Sequence, residues 1–136
     1  MRLVALDTNV LLSALWQPAG PSARVLRAVE RFTLVPVFDR RMLDEYLEVL
    51  SRPRFAKRIA PSAASMAVSA IARVGLNVTA IVEAYPAPLP DEDDRPFAEV
   101  ALTTGAVLVT GNLADYPAEI GIEAMLPADA VRQLGL

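Results

Sequence analysis

Asp7 sits where an apolar strand should pass directly into an apolar helix. In "MRLVALDTNV" the run from Leu3 to Leu6 breaks at Asp7, Thr8 and Asn9, and apolar residues resume at Val10, Leu11 and Leu12. A carboxylate there either caps the helix, since Asp bonds nearby backbone amides, or serves as a ligand. A buried unpaired charge is too costly for it to be core filling. Three further places invite chemistry. "PDEDDRP" strings together Asp91, Glu92, Asp93 and Asp94 before a helix. An acid in a first helical turn suits the helix dipole, but adjacent carboxylates repel unless a cation gathers some of them. Glu45 lies opposite the apolar stripe Leu43, Tyr46, Leu47 and Leu50 on a helical wheel. That pattern fits an ion pair with Arg41 at i−4 and fits a wet cleft equally well. Asn112 and Asp115 follow "LVT", where Gly, Asn and Asp also serve ordinary turns.

The residue types that are missing narrow the chemistry. The chain has no histidine and no cysteine. Zinc sites of the usual nitrogen and sulfur kind, Ser-His-Asp and Cys-His catalysis and histidine acid–base chemistry are therefore excluded. Hydrolysis would rest on carboxylates, or on a hard cation held by oxygen ligands.

The elements that must position these groups alternate between strand and helix. "RLVAL" reads as a buried strand and "NVLLSAL" as a short helix stopped by Pro18, Gly20 and Pro21. Ser22 is placed to cap a helix through "ARVLRAVERF". "TLVPVF" is a strand in which Pro36 points to an edge or a bulge. Asp39 caps "RRMLDEYLEVL", and Pro53 follows it. "PSAASMAVSAIARVG" is a helix from Pro61 to Gly75, and "NVTAIV" a strand. A loop with four prolines leads to the helix "PFAEVALTTG". "AVLVT" and "EAML" are strands, and "PADAVRQLGL" a final helix. Such alternation predicts an α/β fold with a mainly parallel sheet. Ligands in such sheets bind beyond the carboxyl ends of the strands, where Asp7 and Asn112 both fall.

At 136 residues and 54% apolar content, the expectation is one folded domain spanning 1–136. No apolar run reaches the roughly 20 residues of a membrane span, and no signal peptide is evident. The lack of cysteine fits a cytoplasmic protein. Charge is uneven despite a net −3. Residues 1–75 carry eleven Lys/Arg against six Asp/Glu, and residues 76–136 carry two against ten. The densest basic stretch, "SRPRFAKR", holds Arg52, Arg54, Lys57 and Arg58. Two solvated faces explain this, as does a polyanion track beside a cation-collecting pocket.

Four blocks together, "VALDTNVLLSAL", "LDEYLEVLSRPRF", "DDRPFAEVAL" and "VLVTGNLADYP", resemble the PIN-domain family in order and spacing over nearly the whole chain. The likeness is nearest to its bacterial and archaeal branch of VapC-like toxins of toxin–antitoxin pairs. The resemblance implies a three-layer fold and a metal-dependent endoribonuclease. Asp7, Glu45 and Asp94 match the family's first three acids, with Thr8 and Asn9 completing the Asp-Thr-Asn signature. Many members carry an aspartate in the "TGN" region, where this chain has Asn112, with Asp115 three residues on. Asp91 and Asp93 match no conserved acid. The implied cofactor is Mg²⁺ or Mn²⁺, held by Asp7, Glu45 and Asp94 with Asn112 or Asp115. Implied partners are an RNA substrate, met by Thr8, Asn9 and the basic stretch, a small antitoxin and a second copy of the chain. Two rivals stand beside this reading. A phosphoryl-receiver-like domain would want a lysine near its acids, and the only lysine is Lys57. A catalytically silent PIN-like domain would bind RNA or protein without cleaving.

Overall fold

The computed structural model describes residues 2–81 and 83–136. Among these residues five parallel strands form one sheet in the order β3-β2-β1-β4-β5. They are β1 (Arg2–Leu6), β2 (Leu34–Phe38), β3 (Leu76–Asn77), β4 (Val107–Val109) and β5 (Ala124–Met125). The connecting helices are α1 (Thr8–Trp16), α2 (Pro21–Glu30), α3 (Arg40–Leu50), α4 (Pro61–Val74), α5 (Arg95–Thr104) and α6 (Pro127–Gln133). Helices cover both faces of the sheet, giving three layers. α5 lies against β1, β2 and β4, while α2 and α4 lie against β2. Among the described residues no helix is long and apolar enough to cross a membrane.

The central strands are apolar because both of their faces are covered. Val4, Ala5 and Leu6 of β1 and all of β4 are buried. The chain builds outward from β1 to β2 and β3, then returns to the other side of β1 for β4 and β5. Strand order therefore reverses between β1 and β4, the place where ligands of such sheets bind, beyond the carboxyl ends of the strands.

Several boundaries follow from local chemistry. Asp39 caps α3 by accepting the Met42 amide at 3.1 Å. Gly105 ends α5 in the left-handed region, φ +70°. α2 is capped by Gly20 rather than by the expected Ser22, because Pro21 takes the first helical position and draws Ser22 into the buried first turn.

Four other expectations are corrected. Pro36 lies in an interior strand, not at an edge. It pairs with Val4 of β1, while pairing with β3 begins only at Val37, so no β3 partner stands where proline lacks its N–H. Gly75 passes over it so closely that a Cβ would meet the Pro36 carbonyl oxygen at 2.4 Å. "NVTAIV" contributes only Asn77 to a strand. Val78 donates one last bond to the Phe38 carbonyl, and Ile81 turns away to Thr103; Val82 lies outside the described residues. The buried face of α3 is Met42, Tyr46 and Leu50, with Leu47 49% exposed. Arg41 pairs not with Glu45 but with Asp39 and with Glu99, a buried acid of α5, at 2.7 Å each. Glu45 is thus left half-buried beside the core face.

Candidate acidic active site

Asp7 occupies the reversal point between β1 and β4. Its backbone continues the ladder, the amide donating to the Val109 carbonyl at 3.0 Å. Its side chain does two things at once. Oδ1 accepts the Thr8 amide at 2.8 Å and caps α1. Oδ2 accepts the Thr110 hydroxyl at 2.8 Å and the Tyr116 hydroxyl at 2.9 Å, with Asn9 Nδ2 at 3.4 Å. Asp7 is 3% exposed. Burial raises its pKa, and the three donors from Thr110, Tyr116 and Thr8 oppose that rise without cancelling it. The cap is present, and the same side chain also holds the hydroxyl donors of Thr110 and Tyr116.

Glu45 is brought to the same place by its neighbour. The Tyr46 ring is wholly buried, and its hydroxyl donates to the Leu6 carbonyl at the end of β1. That bond pins α3 to the strand that delivers Asp7. Glu45 Oε2 then accepts the Thr8 hydroxyl. Burial holds the Glu45 pKa above its usual value, and the charges of Asp7, Asp93 and Asp91 add to this.

Asp94 lies at the junction of the short helical turn 92–94 and α5. It is 8% exposed, and its Oδ2 is buried without a hydrogen-bond partner among the described residues. Burial first, then the charges of Asp7, Asp115 and Asp91, push its pKa up to about 8. A buried carboxylate oxygen with no donor and acids around it is an unfavourable arrangement for the protein alone.

The remaining expected residues fall at different places. Asp115, partly buried in the turn 113–115, is near enough to bear on both Asp7 and Asp94. Asn112 is exposed, and its amide donates to Thr110 Oγ1 at 3.1 Å. The Thr8 hydroxyl is occupied by Glu45, and Asn9 Oδ1 accepts the Gly111 amide at 2.8 Å, joining α1 to the turn after β4. Asp91 accepts the Asp93 amide within its own turn. In the basic stretch Arg52 pairs with Glu48 at 2.8 Å. Arg54 lies 4.8 Å from the centre of the Phe55 ring, and Arg58 lies 4.5 Å from that of Trp16. Lys57 is exposed.

Thr110, Tyr116 and Tyr46 are not singled out by sequence reasoning. Thr110 and Tyr116 lie inside the "LVTGNLADYP" block, and a hydroxyl flanking each end of an acid-bearing turn is the signal that could have found them. Tyr46 counts there only as part of an apolar stripe.

The donor chemistry fits a hard divalent cation: carboxylate oxygens throughout, one of them buried and partnerless, and a lone pair left on Asp7 Oδ1. Among the described residues no three acidic side chains are close enough to hold one ion as they stand. The set suits Mg²⁺, which commonly takes one or two carboxylates with waters and substrate phosphate completing its shell.

No curated protein matches this sequence. A solved structure that it resembles is VapBC2 from Rickettsia felis bound to a DNA fragment from its promoter, at 12% identity and TM-score 0.63, covering 91% of this chain and 98% of that one. That likeness is one of fold. The sequence profile of the PIN domain matches residues 3–114, and the chain belongs to the PIN-domain family.

Proposed function

We propose that this protein is a Mg²⁺- or Mn²⁺-dependent endoribonuclease, the toxin of a toxin–antitoxin pair. The observation that carries the reading is the partnerless buried oxygen of Asp94, set against Asp7 and Asp115 at the reversal point of the sheet. In this reading Asp7, Glu45 and Asp94 hold the cation, and Asp115 or Asn112 completes the rim. The chemistry such a cation supplies is activation of water and neutralisation of phosphoryl charge. Water oxygen bonds to phosphorus, the bond to one bridging ribose oxygen breaks, and a water proton ends on that oxygen. Thr110 and Tyr116 orient Asp7, and Thr8 orients Glu45. Arg52, Arg54, Lys57 and Arg58 meet phosphates and Asn9 lines the path of the RNA, whereas Thr8, expected there as well, is buried and engaged with Glu45. Residues 1–136 act as one nuclease domain in the cytoplasm, as a homodimer restrained by a small antitoxin. The fold likeness to VapBC2 supports a partner of that kind.

The competing reading is a silent PIN scaffold, favoured by the failure of three acids to converge. Cleavage of single-stranded RNA by homogeneous protein separates the two. Activity abolished by EDTA, restored by Mn²⁺ and lost in Asp7→Asn and Asp94→Asn supports the nuclease. RNA bound but left intact under all these conditions supports the scaffold.

A further inference from the structure

Asn9, Leu12, Ser13 and Trp16 recur at three- and four-residue spacing, which places them on one face of α1. With Gln17 and Phe55 they line a cavity of about 310 Å³. Two of its lining residues are aromatic. Trp16 and Phe55 meet edge to face, with ring centroids 6.2 Å apart. The Arg58 guanidinium lies over the Trp16 ring and donates Nε–H to the Trp16 carbonyl at 3.2 Å. Arg54 lies over Phe55. One wall of the cavity is Asn9, the residue whose side chain also reaches Asp7 and Gly111.

We propose that this cavity is a nucleobase subsite, receiving one unstacked base of single-stranded RNA close to the phosphate being cleaved; the proposal rests on the endoribonuclease reading. Three observations favour a nucleotide over a protein segment. The cavity shares Asn9 with the acidic site, so a strand running past Asp7 reaches it. Its size is at the lower end of small-ligand pockets, which suits one ring system and not a helix face. Its aromatic lining adjoins two guanidinium groups, those of Arg54 and Arg58, and single strands stack bases and lay phosphates on surfaces of this kind. Stacking of this kind tolerates any base, so the subsite positions RNA more than it selects sequence. Trp16 is accordingly a positioning residue.

Trp16 is the only tryptophan in the chain, so its emission reports on this cavity alone. The test uses the full-length Asp94→Asn protein with Mg²⁺, titrated with end-labelled oligouridylate and with an abasic ribose–phosphate oligomer of the same length. Anisotropy of the label measures binding, and tryptophan emission measures occupancy of the subsite. Oligouridylate should quench Trp16 with the same midpoint as the anisotropy change. The abasic oligomer should bind about tenfold more weakly and leave the emission unchanged. Trp16→Leu should remove that tenfold difference, and Trp16→Phe should keep most of it. Emission unchanged while oligouridylate binds overturns the subsite and leaves the nuclease reading standing, as does equal quenching by both oligomers. Quenching by an antitoxin peptide but not by RNA assigns the cavity to protein and overturns it likewise. Failure to bind either oligomer, with no cleavage by the unsubstituted protein, overturns both readings.

Discussion

Replacing Asp94 by Asn should make the metal-free protein more stable, and increasingly so as the pH rises. An unfolded chain ionises this carboxyl near 3.8, whereas burial and the neighbouring acids delay ionisation in the fold to about 8. Between those values the folded state binds more protons than the unfolded one, so stability falls as pH increases. Well below pH 3.8 the group is neutral in both states and the penalty vanishes. Each pKa unit is worth about 1.4 kcal/mol, which sets a ceiling of about 4 kcal/mol at pH 7. Side-chain relaxation toward water lowers the expected gain to about 1–3 kcal/mol. Asn keeps the shape and stays neutral throughout. For a chain of this size about 4 °C of Tm accompanies each kcal/mol. Thermal melts in EDTA at pH 4, 6 and 7.5 should therefore give a small Tm difference at the lowest pH, widening to several degrees at the highest. Mg²⁺ should raise the Tm of the unsubstituted protein and leave Asp94→Asn nearly unmoved. A difference that does not grow with pH, or an Asn variant less stable at pH 7.5, would refute the reasoning.

Tyr116→Phe deletes a donor to Asp7 Oδ2; it should cost about 1–3 kcal/mol and move the acidic limb of the pH–rate profile to higher pH, as read from kcat/KM across pH. Gly75→Ala drives a Cβ against the Pro36 and Ile71 carbonyl oxygens, which are backbone atoms with little freedom to yield; urea unfolding should show a loss of about 1–3 kcal/mol. Arg54→Ala combined with Lys57→Ala should reduce the slope of log K against log[salt] for single-stranded RNA by roughly 0.7 for each phosphate that these side chains neutralise, with sequence preference unchanged; an unaltered slope would assign them to solvent or to a protein partner.

Much of the architecture is legible in the sequence because its signals are local. Apolar runs locate β1, β2 and β4, and Asp39, Pro61 and Gly105 mark helix ends through caps and backbone geometry. The break at Asp7 is visible because a carboxylate conflicts with the pattern on both sides of it. What stays hidden depends on partners distant in sequence. Pro36 is tolerated inside the sheet because β3 begins pairing one residue later, a matter of register. The helical wheel misplaces the buried face of α3 because Leu47 and Met42 are equally apolar to it, and only packing against the rest of the fold decides between them. Tyr46 and Tyr116 count as hydrophobic in composition, yet their hydroxyls bond the end of β1 and the Asp7 carboxylate. Four acids in a row look alike in sequence; the burial that sets Asp94 apart from its neighbours is contained in no window of residues.

The most direct test is a crystal soaked in Mn²⁺ and measured at the manganese absorption edge. Carboxylates of Asp7 and Asp94, with Glu45 directly or through water, should surround a single dominant anomalous peak, and that peak should be absent in crystals of Asp94→Asn. A fully soaked crystal with no peak among these side chains, or with manganese bound only elsewhere on the surface, would contradict the assignment of this acid cluster as a metal site.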